Sequence, residues 1–182
     1  TKMIRNYIIL ISMTAMSLSS CKSEPESSLD ASNPFTCKYT TPFEVPPFDK
    51  ITNAHFIPAF EQGMLEQKRE VDAIVKNRKK PTFENTILAL DKSGQLLTNV
   101  AAVFFAQSNA NTSDSLQALE VEISPKLAAF NDEIRLNPAL FTKIRSVYEN
   151  QAEFGLDDEQ KYLLENLYKS FVRNGANLNE QD

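Results

Sequence analysis

The chain has 182 residues, of which 42% are hydrophobic and 24% are charged, and its formal net charge is −5. These proportions are ordinary for a globular protein, and the length suffices for one domain or for part of a larger one. The sequence has no basic patch, which argues against a nucleic-acid partner, and it has only four glycines, which argues against glycine-rich phosphate loops.

The beginning of the chain has the pattern of a targeting segment. Two basic residues precede an apolar stretch, 7–16, which is shorter than the roughly 20 apolar residues that a membrane-spanning helix needs. The stretch ends in LSSC, 18–21, which resembles the lipobox of bacterial lipoproteins, whose cysteine is lipid-modified and becomes the first mature residue. We therefore expect residues 1–20 to be a lipoprotein signal peptide. The alternative is an ordinary signal peptide followed by an incidental cysteine.

A lipid on Cys21 would attach the protein to a membrane of the bacterial cell envelope, where it would face the periplasm or the outside. Residues 21–34 are polar and rich in serine and proline, which predicts a flexible tether between the lipid and the fold. Segment 35–51 contains three prolines, which exclude a regular helix because proline lacks an N–H. Three phenylalanines interrupt this segment, so we predict an extended arm whose aromatic side chains pin it to a folded body. They are Phe35, Phe43 and Phe48.

Helical patterns follow the arm, and no strand pattern of useful length appears. The first helix is predicted over roughly 54–77, and Pro81 stops it. A second helix is predicted over 82–107 with Thr82 as its N-cap, because apolar residues recur along it at alternating spacings of 4 and 3. Gly94 lies in the middle of this apolar seam, and close approach of a neighbouring helix would explain a glycine there. The seam comprises Phe83, Ile87, Leu90, Gly94, Leu97, Ala101 and Phe104.

A third helix, roughly 113–136, carries a similar seam and follows a short polar loop. We therefore predict that the second and third helices pair as an antiparallel hairpin, with a kink at Pro125. Asn137 is expected to cap a fourth helix, and Asp157 with Gln160 resembles the capping box of a fifth. The predicted fold class is all-α, built from antiparallel helical hairpins.

The chain contains a single histidine, His55, and two cysteines. A zinc hydrolase needs about three protein ligands and usually two histidines, and a Ser–His–Asp triad would need His55 as its base. Because His55 lies near a helix start beside apolar residues, we expect it to pack or to cap rather than to act as a ligand or base. Cys37, the cysteine left after acylation of Cys21, is expected to be buried or half-buried, with a reactive thiol as the alternative.

Paired carboxylates are the remaining candidates for acid–base chemistry. The pair Asp157 and Asp158 is explained by helix capping, and the pair Glu120 and Glu122 by exposure on a solvated helix face. The sequence therefore predicts no catalytic, cofactor-binding or metal-ligating residue in this chain.

Four stretches nevertheless carry a family resemblance. They are VPPFDKITNAHFIPAFEQGM at 45–64, PTFENTILAL at 81–90, SPKLAAFNDEIRLNPALFTKI at 124–144 and YKSFVRNGANL at 168–178. In this order they resemble the N-terminal region of bacterial peptidyl-dipeptidases, which belong to the thimet-oligopeptidase-like family of zinc metallopeptidases. The resemblance covers roughly 33–182.

The resemblance implies an all-helical, two-lobed clamshell peptidase with a deep channel that admits only short peptides. Its zinc is bound by an H-E-x-x-H helix and a later glutamate in the second half of family members, and neither motif matches here. Region 35–182 is therefore expected to be the N-terminal helical region, truncated at its C-terminal end. It would form channel wall and would pack against the missing C-terminal catalytic lobe. The alternative is a complete, non-catalytic helical lipoprotein that acts as a binding module.

The LSSC pattern makes lipidation directly testable. We predict that mass spectrometry of the membrane fraction finds chains that begin at an acylated Cys21, and that a Cys21→Ser variant is neither acylated nor processed at this position. An unmodified chain that retains Met3 would contradict this prediction.

Overall fold

The computed structural model describes residues 29–176, so the predicted signal peptide and Cys21 lie outside the described residues. Within 29–176 there are helices and turns but no strand, which confirms the all-α prediction. No helix in that range is both long and apolar enough to cross a membrane. The helices are α1 (Asn53–Lys76), α2 (Ala89–Asp91), α3 (Gln95–Ala110), α4 (Asp114–Arg135), α5 (Pro138–Glu149) and α6 (Asp158–Arg173). A π-helical segment, Phe83–Leu88, leads into α2, and 3-10 turns cover Pro34–Thr36, Pro42–Glu44 and Gln151–Glu153.

Helix α1 takes part in both hydrophobic cores of the described chain. Its 24 residues make it about 36 Å long. Phe56 and Phe60 in its first half belong to a first core, whereas Val71 and Ile74 in its second half belong to a second core. The two cores are therefore joined by one continuous helix.

The first core combines the arm with α1, α3 and α4. The buried ring of Phe104 lies 5.0 Å from that of Phe56 and 5.6 Å from that of Phe60, both in edge-to-face contact. Phe35 of the arm packs against Phe56 with ring centroids 5.8 Å apart. Such aromatic pairs add to the stabilisation that comes from burying their area. The other buried members are Ile51, Ala59, Leu97, Val100, Val103, Leu116, Ile123 and Phe130.

Helices α1 and α3 run antiparallel and approach each other closely at Gly63. A Cβ added to Gly63 would lie 2.9 Å from both the backbone nitrogen and the Cα of Leu97, which is too short for a real contact. Glycine in a helix interior costs about 1 kcal/mol relative to alanine. The close crossing explains why glycine occupies this position, since any other side chain would push the two helices apart.

The single helix predicted over 82–107 is wrong, because the chain turns at Gly94. This residue has φ of 72°, a left-handed conformation that disfavours other residues, and it separates α2 from α3. Its N–H donates a hydrogen bond to the Glu70 carboxylate at 2.7 Å. The predicted reason for a glycine here is also wrong, because its neighbour is the side chain of Gln67, within 2.4 Å of an added Cβ, and not a closely packed helix backbone.

The apolar seam divides at this turn, and its two halves are buried in different cores. Phe83, Ile87 and Leu90 belong to the second core, whereas Leu97 and Phe104 belong to the first. A regular repeat along the sequence predicted one straight helix, but its two halves face different partners.

The second and third helices run in opposite directions, as predicted, but they do not pair as a hairpin. Each of them, α3 and α4, packs mainly against α1. α4 lies parallel to α1, with ion pairs from Lys126 to Glu61 at 3.5 Å and from Lys68 to Glu133 at 2.6 Å. α4 continues through Pro125, and the kink expected there stays a prediction.

The arm is anchored by fewer aromatic side chains than predicted. Phe35 and Ile51 are buried, but Phe43 is 99% exposed and Phe48 is 44% exposed. The prediction that all three phenylalanines pin the arm is therefore wrong for two of them. Phe43 lies in the 3-10 turn that begins at Pro42, and this turn holds its ring away from the body.

The end of the predicted tether also belongs to the folded body. Asn33 is 4% exposed, and its side-chain amide donates to the backbone carbonyl of His55 at 3.0 Å. Leu29 packs against the first core. The remainder of the tether before Leu29 lies outside the described residues.

The second core is formed by α5, α6, the π-helical segment and the end of α1. Tyr168 stacks on Tyr148 with ring centroids 4.0 Å apart and on Phe141 at 5.8 Å. The fully buried members include Ile87, Leu140, Ile144, Val147 and Leu164. These contacts hold α6 against α5.

The predicted helix caps are confirmed. The Asn137 side chain accepts a hydrogen bond from the Leu140 N–H at 2.9 Å. Asp157 accepts from the Gln160 N–H at 2.8 Å, and the Gln160 side chain accepts from the Asp157 N–H at 3.1 Å. Thr82 caps the π-helical segment, because its side chain accepts from the N–H of Asn85. Each cap satisfies backbone donors that a helix start leaves unpaired.

Gly63→Ala tests the helix crossing. Helix propensity alone predicts a gain of about 1 kcal/mol, but we expect a loss of about 1–3 kcal/mol because the added methyl group overpacks the contact with Leu97. Ala128→Gly, at an exposed position of α4, is the matched control and should lose about 1 kcal/mol from propensity alone. Urea unfolding measures both free energies. A stabilised Gly63→Ala variant would show that the crossing is not tight.

Leu97→Asp tests the seam of α3. Leu97 is 8% exposed, so a carboxylate there would be buried without a partner, and we expect a loss of more than about 3 kcal/mol. Val121→Asp is the control at a 77% exposed helix position and should change stability by no more than about 0.5 kcal/mol. Thermal unfolding followed by circular dichroism compares the two. Equal melting temperatures would contradict the burial of Leu97.

Candidate functional site

His55 acts as a helix-capping residue. It is the third residue of α1, and its Nδ1 accepts a hydrogen bond from the backbone N–H of Thr52 at 3.0 Å. Because a backbone N–H can only donate, Nδ1 is the acceptor in this contact. The predicted packing or capping role is confirmed.

Cys37 is exposed, so the prediction that it is buried or half-buried is wrong. The preceding 3-10 turn places Phe35 in the core, and the chain then continues in an extended conformation with the thiol outside.

Cys37 lines a cavity of about 360 Å³ between the arm and α3. Its lining comprises Phe35, Cys37, Lys38, Tyr39, Glu44, Pro46, Asn99, Ala102 and Val103. Partial burial, with a smaller contribution from Cys37, raises the pKa of the Tyr39 hydroxyl.

A second cavity, of about 510 Å³, lies between the π-helical segment and the start of α6. Phe83, Leu88 and Leu163 supply apolar surface, and Tyr162 is 68% exposed. Its polar lining comprises Asp91, Asp157, Glu159, Gln160 and Asn166. The lining contains no histidine, cysteine or lysine.

The two carboxylate pairs have structural roles. Asp157 caps α6, as predicted, and Asp158 lies 3.5 Å from a lysine in the next turn. Glu122 is exposed and binds a lysine four residues later at 2.9 Å. Glu120 is half-buried and accepts a hydrogen bond from the Ser108 hydroxyl at 2.6 Å, so simple exposure was the wrong explanation for this residue.

Sequence reasoning did not identify Gln62 in α1 as a buried polar side chain. It is 8% exposed and donates to the Glu66 carboxylate at 2.9 Å. Its carbonyl oxygen has no hydrogen-bond partner among the described residues. Gln62 follows another polar residue, Glu61, and nothing in the sequence distinguishes the buried side chain of Gln62 from the exposed side chain of Glu61.

The zinc implied by the family resemblance has no fitting site in this part of the chain. Across residues 29–176, no group of three or more His, Cys, Asp or Glu side chains is arranged to hold a metal ion. His55 already uses Nδ1 as a cap, and Cys37 lies on the arm. The described residues therefore do not match the three-ligand sets of catalytic zinc.

Comparison with known proteins identifies relatives. Over 150 residues the chain is 43% identical to dipeptidyl carboxypeptidase of Escherichia coli (strain K12), a match that covers 82% of the chain and 22% of that protein. It is 41% identical over 152 residues to dipeptidyl carboxypeptidase of Salmonella typhimurium, covering 84% of the chain and 22% of the relative. A more distant match, 23% over 138 residues, is to oligopeptidase A of Escherichia coli, covering 76% of the chain and 20% of the relative.

The chain spans about a fifth of the length of these curated relatives. No protein-family model matches it. Both dipeptidyl carboxypeptidases align with more than four fifths of its residues, which confirms the resemblance carried by the four sequence stretches. The chain therefore belongs to the same family as the bacterial dipeptidyl carboxypeptidases.

Proposed function

We propose that the chain is the N-terminal part of an envelope zinc metallopeptidase that releases C-terminal dipeptides from short peptides. The observation that carries this proposal is the 43% identity to a dipeptidyl carboxypeptidase. Because the chain spans about a fifth of that relative, the activity would belong to the whole protein and not to this segment alone.

Within that protein we assign this segment a structural role, as part of the channel wall that admits only short peptides. Its polar side chains support this assignment, since His55, Asn137 and Asp157 all serve as helix caps. Zinc would be held by the C-terminal lobe, through the H-E-x-x-H helix and the later glutamate that the family resemblance implies. In that lobe the zinc would activate a water molecule for peptide hydrolysis.

The envelope location rests on the targeting pattern at the start of the chain. An apolar run ending in LSSC supports removal of residues 1–20 and attachment of a lipid to Cys21. The membrane would then be a partner through the lipid anchor, and short peptides would be the substrates.

We predict that the 22–182 segment does not hydrolyse peptides, with or without added zinc. Metal-assisted hydrolysis needs a zinc ion with an open coordination position and a base beside the attacking water, and exposed carboxylates do not form such a site. The assay is release of C-terminal dipeptides from a short blocked peptide. Chelator-sensitive cleavage by the pure segment, lost in His55→Ala, would contradict this prediction.

The matching positive test uses the whole gene product. Coding sequence that continues in frame beyond Asp182 and contains H-E-x-x-H, with chelator-sensitive dipeptide release by the product, would support the proposed function. A stop codon at that point, together with a cooperatively folded segment that binds peptides without cleaving them, would favour a non-catalytic lipoprotein that acts as a binding module.

A further inference from the structure

The arm turn, which we define as residues 41–48, carries an unusual concentration of exposed apolar side chains. Phe43 is 99% exposed, Val45 is 47% exposed and Phe48 is 44% exposed. The other large apolar residues that are exposed in the described chain are scattered: Val121, Leu136 and Tyr162. A single exposed apolar residue needs no explanation, but a cluster of them marks an interaction site.

The backbone of the arm turn is held in a disfavoured conformation. Phe43 and Glu44 have φ of 58° and 56°, where the Cβ of an L-residue crowds the neighbouring carbonyl oxygen. The Thr41 hydroxyl donates to the Val45 carbonyl, and Lys38 pairs with Glu44 at 2.6 Å, so local contacts close the turn. None of these contacts requires an aromatic ring at position 43, because that ring is almost completely exposed. Backbone strain of this kind persists where surroundings hold it, and binding sites are common places for it.

The chain is anchored to the helices on both sides of the arm turn. Phe35 before it and Ile51 after it are 6% and 8% exposed, and both belong to the first core with α1 and α3. A segment that is anchored at both ends loses less conformational freedom on binding than a free segment does, which favours docking of the arm turn into an apolar pocket.

We propose that the arm turn docks this helical body onto the remaining part of the same polypeptide, with the Phe43 ring buried in an apolar pocket of that part. This proposal rests on one part of the proposed function, namely that the chain is one part of a longer polypeptide. The length of the relatives favours this occupant, because the matched dipeptidyl carboxypeptidases are several times longer than the chain and only 22% of each is aligned with it. A second copy of the chain or a membrane surface would be a different occupant, and the experiment separates them.

The test is hydroxyl-radical footprinting of the whole gene product, prepared without residues 1–21 and without detergent, and read by mass spectrometry. We expect oxidation of Phe43 to be about tenfold slower in the folded than in the unfolded protein, because a docked ring is removed from solvent. Phe56, whose side chain is fully buried in the described body, is the matched reference for a protected phenylalanine. A Phe43 rate closer to its unfolded value than to the Phe56 rate overturns the proposal.

Two further measurements identify the occupant. Protection of Phe43 that disappears on dilution points to a second copy, and protection that arises only when vesicles of anionic phospholipid are added points to a membrane, so either result overturns the proposal. Peptidase activity is measured on the same sample. An active protein with a reactive Phe43 rejects only the docking, whereas an inactive protein with a protected Phe43 rejects the proposed function and leaves the docking standing.

Discussion

The close contact of α1 with α3 at Gly63 is the constraint on which the rest of the described structure depends. Because no Cβ stands there, the backbone at Leu97 can approach α1, and Phe104 can then reach Phe56 and Phe60. The same α1 continues into the second core, so the position of α3 is fixed relative to α5 and α6 as well.

Polar side chains of the described chain serve to begin helices and to join them. His55, Asn137 and Asp157 pair with backbone N–H groups at helix starts, and Glu120 accepts a hydrogen bond from Ser108 at the junction of α3 and α4. Local structure therefore accounts for these four side chains.

The arm divides into a part that belongs to the body and a part that does not. Asn33, Phe35 and Ile51 are buried against the first core, whereas the arm turn between them exposes Phe43. Aromatic residues that look alike in sequence thus have opposite environments. The difference arises because the prolines and the left-handed backbone at Phe43 direct this one ring outwards.

Much of the local structure was determined by the sequence itself. The all-α class, the caps at Thr82, Asn137 and Asp157, a packing or capping role for His55 and the family relationship could all be predicted. Each of these depends on residues that are close together in the chain, or on a match to a known pattern. A cap forms between residues three positions apart, so its signal survives in a linear sequence.

Tertiary structure alone decided where the second helix breaks, which helix its seam packs against, and which side chains of the arm face solvent. Periodicity shows that a helix has an apolar face, but it does not show which partner covers that face. The turn at Gly94 is held by Glu70, 24 residues earlier, and the tight crossing at Gly63 is set by Leu97. The exposure of Cys37 likewise follows from Phe35 packing on Phe56. These outcomes depend on contacts between distant residues, which a single sequence does not display.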